Sequence, residues 1–289
     1  MNGQTTPPIQ ERWIEVEGLK THVLTAGESG SPVVLLHGGG IDSAQLSWEL
    51  AISPLAQAHR VFAPDLPGYG QSDKPDVVYN SDFYIDFLTH LLDELQLPKV
   101  SLVGLSMGGA IALGFTLRCP GRVNRLVPVD PYGIMPKVAW HRLSYLYVQT
   151  PLNELSYWFY KRSRGMVRWT LLHGLISSPD RLPDSLVDEA FRAVQAPDAG
   201  KAFTSFQRYD LTWNGLRTNY TDRLHEITAP TLFVHGEKDP AVPLKYAQQA
   251  HELVRNSQLY IMAGCLHWPM RDQPAEFNRV VAAFLQDQA

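Results

Sequence analysis

The chain reads as an α/β fold: a mostly parallel central sheet flanked by helices and interrupted once by a helical insertion. Three observations predict it. Short continuous apolar runs, suited to strands covered on both faces, recur at Pro32–Leu36, Arg60–Ala63 and Val100–Val103. Segments with helical spacing separate them. The rhythm stops near residue 135 and resumes after Ala229-Pro230.

Taken in order, Arg12–Val16 and Thr21–Thr25 form short strands joined through Glu17-Gly18, a hairpin. The runs at 32–36 and 60–63 follow. Tyr84, Leu88, Leu91, Leu92 and Leu95 then recur at helical spacing, with Ser81 as the expected cap. After the strand at Val100, the small apolar stretch Gly108–Leu117 suits a helix packed tightly on a sheet, and Arg125–Val129 is one more strand. Thr231–His235 and Gln258–Met262 are the late strands, with a helix at Leu244–Leu253 between them. Phe277, Val280, Val281, Phe284 and Leu285 mark one face of a last amphipathic helix. The expected division is therefore a core of residues 1–134 and 223–289 and a helical lid of residues 135–222. The lid is rich in aromatic residues (Trp140, Tyr145, Tyr147, Trp158, Phe159, Tyr160, Trp169), expected as core and pocket wall.

Composition narrows the function. The chain has 289 residues, 45% hydrophobic and 19% charged, ordinary values for a globular protein. A net charge of −4 argues against a nucleic-acid surface. No apolar run approaches a membrane span, and Met1-Asn-Gly-Gln-Thr-Thr-Pro-Pro lacks the features of a signal peptide. Cys119 and Cys265 are far apart and in no metal-ligand spacing, so both are expected as buried thiols in a cytoplasmic protein. Neither a cofactor nor a metal is implied. The expected partner is a small-molecule substrate, with a homo-oligomer left open.

Four stretches carry the chemistry. Gly104-Leu105-Ser106-Met107-Gly108 places a serine at the tip of a strand-to-helix turn. A serine hydroxyl is a weak nucleophile and needs a base to take its proton. His267, in the loop before the last helix, is the candidate base, and Asp239, after the strand at 231–235, the carboxylate that orients it. Asp130, after the strand at 125–129, is the competing acid. His37-Gly38-Gly39-Gly40 follows the first covered strand; amides of Gly39 and Met107 are the expected oxyanion donors. No phosphate-loop lysine follows Gly109, which argues against nucleotide binding. Asp65-Leu-Pro-Gly-Tyr-Gly-Gln-Ser72 is read as a structural turn.

With these motifs in place, the chain resembles the α/β-hydrolase superfamily over essentially its full length. The Asp65–Ser72 stretch, the elbow at Ser106 and the loops of Asp239 and His267 carry the resemblance, which implies a Ser-His-Asp triad. Ser106 excludes the aspartate-ester chemistry of epoxide hydrolases and haloalkane dehalogenases. His-Gly-Gly-Gly, His267-Trp268 and Glu276–Val280 look like the meta-cleavage product hydrolases, which split a carbon–carbon bond in vinylogous 1,5-diketones. That group often has Asn where Leu105 stands and Pro-Gly where Ile41-Asp42 stand. It uses a lid arginine for the substrate carboxylate, a role that falls to Arg192, beside Gly40 and Trp268 as substrate-binding residues. Gly-Leu-Ser-Met-Gly-Gly looks instead like carboxylesterases. The leading expectation is hydrolysis of small, mainly apolar esters through an acyl-enzyme. The alternatives are carbon–carbon hydrolysis of 2-hydroxy-6-oxo-dienoates, or a ligand-binding protein with little turnover.

Overall fold

The computed structural model describes residues 7–286; the chain start that was read for a signal peptide lies, up to Thr6, outside the described residues. The first strands, β1 (Gln10–Val16) and β2 (Leu19–Ala26), form the expected hairpin. Glu17 and Gly18 both take positive φ, the geometry of a two-residue turn whose twist matches its strands. Then come β3 (Pro32–Leu36), α1 (Ala44–Leu55), β4 (Arg60–Pro64), α2 (Ser81–Glu94), β5 (Val100–Leu105), α3 (Met107–Arg118) and β6 (Val123–Val129). Five helices follow: α4 (His141–Gln149), α5 (Leu152–Tyr160), α6 (Arg164–Thr170), α7 (Asp184–Gln195) and α8 (Lys201–Asp210). The chain returns to the sheet with β7 (Thr231–Gly236), α9 (Leu244–Leu253) and β8 (Ser257–Met262), and ends on α10 (Pro269–Asp272) and α11 (Pro274–Gln286).

The eight strands lie in the order β1-β2-β4-β3-β5-β6-β7-β8. Pairing is antiparallel at β1/β2 and β2/β4 and parallel from β4 onward. Alternation along β3 divides the core: Val34 and Leu36 join α2 and α3 on one side, Val33 and Leu35 join α1 and α11 on the other. All five apolar residues predicted for the last helix are buried on the second side. The parallel order carries the ends of β3, β5, β6, β7 and β8 to one sheet edge, where ligands of such folds bind.

Two expectations are corrected, and one helix is added. Ser81 is not the cap of α2: Asn80 is, its Oδ1 accepting from Phe83 N at 2.8 Å, and Ser81 bonds Thr218 at 2.7 Å instead. Cys119 is half-buried, not buried, although Cys265 is buried and both are free thiols. Helix α1 was not anticipated, because Gln45, Ser47 and Glu49 dilute its periodicity and Pro54 stands inside it. Ser43 caps that helix by accepting from Leu46 N. Pro54 has no N–H for the Leu50 carbonyl, and Asn278 Nδ2 of α11 donates to that oxygen at 2.7 Å. No helix among the described residues is long and apolar enough to cross a membrane.

Candidate active site

The elbow is built by packing. β5 runs through Leu105, and Ser106 takes φ 49°, ψ −113° before α3 starts. A strand turning this sharply into a helix brings backbones together. A Cβ on Gly104 would lie 2.3 Å from Gly108 O, and one on Gly108 2.3 Å from Leu36 O. Both glycines are therefore required by space. The strained Ser106 backbone is held by Val129 O, which accepts its N–H at 2.9 Å, and by Ala110 and Tyr132 amides on its carbonyl.

His267 and Asp239 meet as expected, with Nδ1 and Oδ2 2.7 Å apart and both residues buried. Asp239 Oδ1 accepts from the amides of Ala241 and Val242 at 2.7 and 3.1 Å. Burial works to raise this carboxyl, but the His267 charge and hydrogen bond, together with His235 and the amides, hold it below the ordinary range. The carboxylate accepts, so Nδ1 of His267 carries the proton and Nε2 keeps its lone pair. Ser106 and His267 line the same cavity.

Asp130, the competing acid, does not bond His267. It lies behind Asp239, fully buried, with one oxygen accepting from Gly236 N at 2.8 Å and the other without a hydrogen-bond partner. Its burial, and then the charge of Asp239, push its carboxyl well above the usual range. His235, also buried, is pushed down by burial and bonds Val242 O through Nε2 at 2.8 Å. Asp130, His235 and Asp239 each place one atom within 4.8 Å of the others, the one metal-like grouping among the described residues. Asp239 is already committed to His267, so a cation there would compete with the relay.

The glycine loop after β3 is oriented from below. His37 Nε2 accepts from Leu66 N at 3.0 Å, so Nδ1 carries the proton and donates to Gly38 O at 2.8 Å. Gly38 N donates to Asp42 Oδ2 at 2.7 Å. In a trans peptide the C=O and the next N–H point opposite ways, so fixing Gly38 O also fixes the Gly39 amide. Gly39 lines the cavity, and a Cβ there would lie 2.5 Å from the Phe203 ring. Met107 opens α3, where the amide has no partner inside the helix; Tyr69 Oη contacts its sulfur at 3.6 Å. Asp65 bonds His22 and the amides of Ala44 and Gln71, the structural role expected of that turn.

The cavity measures about 450 Å³. Gly40 and Trp268 line it, as expected of substrate-binding residues; Arg192 does not, being exposed on α7 and outside the lining. Helix phase explains the miss: the buried face of α7 is Leu186, Val187, Ala190 and Val194, which turns position 192 outward. The aromatic insertion is likewise only partly wall. Tyr147, Tyr157 and Tyr160 line the cavity, whereas Trp140, Trp158, Phe159 and Trp169 are exposed, a correction to their expected burial. These helices are short and each offers the cavity one narrow face. Sequence reasoning missed Asp42 and Arg271. Asp42 is buried beside the loop it holds. Arg271 of α10 donates to Leu46 O, Gln45 O and Glu49, tying the His267 loop to α1. Its place four residues after His267 was the only signal for it.

A family model described as alpha/beta hydrolase fold matches residues 32–274. The 2-hydroxy-6-oxo-6-(2'-aminophenyl)hexa-2,4-dienoic acid hydrolase of Metapseudomonas resinovorans is 30% identical over 281 residues, 96% of this chain and 92% of that protein. The 2-hydroxy-6-oxo-2,4-heptadienoate hydrolase of Pseudomonas putida is 30% identical over 282 residues, covering 95% of each. Among solved structures, a meta-cleavage product hydrolase from Pseudomonas fluorescens superimposes with a TM-score of 0.80 at 29% identity, over 94% of this chain and 96% of that one.

Proposed function

This chain belongs to the α/β-hydrolase fold family, and from that membership we propose that it is a serine hydrolase cleaving a carbon–carbon bond next to a ketone. One observation carries the reading: relatives alike over more than nine-tenths of both chains are hydrolases of 2-hydroxy-6-oxo-dienoic acids. Expectation had put ester hydrolysis first, on the Gly-Leu-Ser-Met-Gly-Gly sequence. The comparisons favour the carbon–carbon alternative over it, and both use the same groups.

In this mechanism His267 Nε2 takes the Ser106 proton as Oγ attacks the ketone carbon. The new oxyanion is met by the amides of Met107 and Gly39, both fixed before the reaction. In the 2-keto tautomer of the substrate, formed as the enol proton moves to the carbon beside the ketone, the carbon–carbon bond then breaks; its electron pair moves through the remaining alkene into the 2-carbonyl, and the resulting enolate takes a proton from His267. Water, deprotonated by the same ring, releases the acyl group as a carboxylic acid. Asp239 keeps the proton on Nδ1 and stabilises the imidazolium. The helices between β6 and β7 act as the lid, because their residues supply the cavity wall facing Ser106.

The test is a substrate pair: a 2-hydroxy-6-oxo-6-phenyl-dienoic compound followed by loss of its conjugated absorbance, and a nitrophenyl ester of similar size. Preferred turnover of the first, abolished in Ser106→Ala, is the expected result. Turnover of the ester alone would return the function to esterase.

A further inference from the structure

The relatives' named substrates are acids, ionised near neutral pH, whereas no lysine or arginine among the described residues lines the cavity of this chain. Moving an ionised carboxylate from water into an apolar site is strongly unfavourable unless a cation or several hydrogen-bond donors meet it. None of the residues lining the cavity is Lys or Arg. The one lining carboxyl, Asp42, has a sign that opposes an acid when ionised, and it already accepts from Gly38, Ser43 and Ser47. His267 faces Asp239, so the imidazolium of the relay is already paired.

The nearby cations are all turned elsewhere. Arg192 is exposed and outside the lining. Arg271 is spent on α1, and Lys161 Nζ donates to the carbonyls of Ala196 and Pro197 at 3.0 and 3.1 Å. What lines the cavity instead is apolar (Leu105, Val167, Leu171, Phe203) or neutral and polar: the hydroxyls of Tyr147, Ser156, Tyr157, Tyr160 and Thr170, and one amide pair, Asn153 Nδ2 donating to Gln207 Oε1 at 3.0 Å. That pair retains an acceptor on Asn153 and a donor on Gln207, dipoles without net charge that suit a carbonyl or hydroxyl group.

We infer that this site selects an uncharged, mainly apolar ketone, with a neutral polar group where the relatives' substrates carry an acid. The inference rests on the carbon–carbon reading for the identity of the scissile bond, and on the cavity lining alone for the charge preference. A volume of about 450 Å³ accommodates a ring-bearing compound of this kind.

Binding and turnover separate the two. Calorimetry on the Ser106→Ala protein compares 2-hydroxy-6-oxo-6-phenylhexa-2,4-dienoate with its carboxamide, which has the same shape and no charge. The carboxamide is expected to bind at least ~10-fold tighter, a discrimination of about 1.4 kcal/mol. Equal or tighter binding of the carboxylate overturns the inference, as does failure of both to bind. Introducing an ammonium at the partly exposed wall by Gln207→Lys should move the ratio toward the carboxylate by ~10-fold or more; a ratio that stays put also overturns it. Wild-type turnover is read separately. A carboxamide bound tightly but never cleaved sinks the carbon–carbon reading and leaves the charge preference standing.

Discussion

At the residue scale, Ser106 and Asp130 make the most contrasting predictions. Ser106→Ala should lower turnover by at least ~10³-fold with an unchanged melting temperature, because the hydroxyl bonds nothing that holds the fold. Asp130 is different: its carboxyl, raised by burial and by Asp239, accepts the Gly236 amide. Asp130→Asn keeps that acceptor, so activity should stay within a few-fold of wild type. Asp130→Ala leaves a buried N–H unpaired and should cost ~1–3 kcal/mol in denaturant unfolding. The pH dependence has a definite sign. Folded Asp130 retains a proton that the unfolded chain releases above about pH 4, so its contribution to stability falls as pH rises from there. Asp239, held below its usual range, contributes the opposite way, losing stability in acid, but it is common to both proteins and cancels. The melting-temperature difference, Asp130→Asn minus wild type, should therefore grow from pH 4 to pH 7; a flat difference would refute the raised carboxyl of Asp130. The meeting of Asp239 with His267, and of His267 with Ser106 at one cavity, was legible in the sequence because glycine spacing marks Ser106 and chain order marks the other two. Arg192 was misread although the spacing of Leu186, Val187, Ala190 and Val194 already gave the phase of α7 and turned position 192 away from the buried face.

At the element scale, all eight strands were anticipated: the central ones by apolar runs, since burial on both faces leaves little choice of residue, and the mostly exposed β1 by the Glu17-Gly18 turn that pairs it with β2. Helix α1 escaped because its stability is borrowed from neighbours: Trp48 lies near Phe277 of α11, Asn278 serves the carbonyl freed by Pro54, and Arg271 grips its first turn. None of these is local in sequence. Asn278→Ala should cost ~0.5–1.5 kcal/mol, the net worth of one hydrogen bond. Arg271→Ala should cost more, ~2–3 kcal/mol, since charged donors bond more strongly and its Glu49 partner is left behind. Because Arg271 also links the His267 loop to α1, its loss should lower kcat more than it raises KM. Purely structural damage would lower the active fraction without changing KM or the pH profile. The elbow is less forgiving. Gly104→Ala drives a methyl into Gly108 O, a backbone atom, and should prevent folding of the turn, read as loss of soluble, cooperative unfolding protein.

At the scale of the whole molecule, residues 106, 239 and 267 are brought together by the parallel order of β5, β7 and β8, so the relay depends on the complete sheet. The order of strands in space was not readable from the runs themselves; what was readable was that the runs alternate with helices, which restricts the answer to few topologies. The five helices between β6 and β7 resisted reading for the opposite reason. They are short, and their outward faces carry Trp140, Trp158 and Trp169, residues that sequence intuition places inside. Their inward faces supply Tyr147, Asn153, Tyr157 and Thr170 to the cavity, while Ser106 and His267 rise from the sheet edge below. Ser106 and His267 thus lie on the core, while much of the wall that faces them comes from the separate stretch between β6 and β7. Mutations in the roof can retune which compound is admitted while the floor goes on running one unaltered reaction, which gives such a scaffold room to acquire new substrates by small steps.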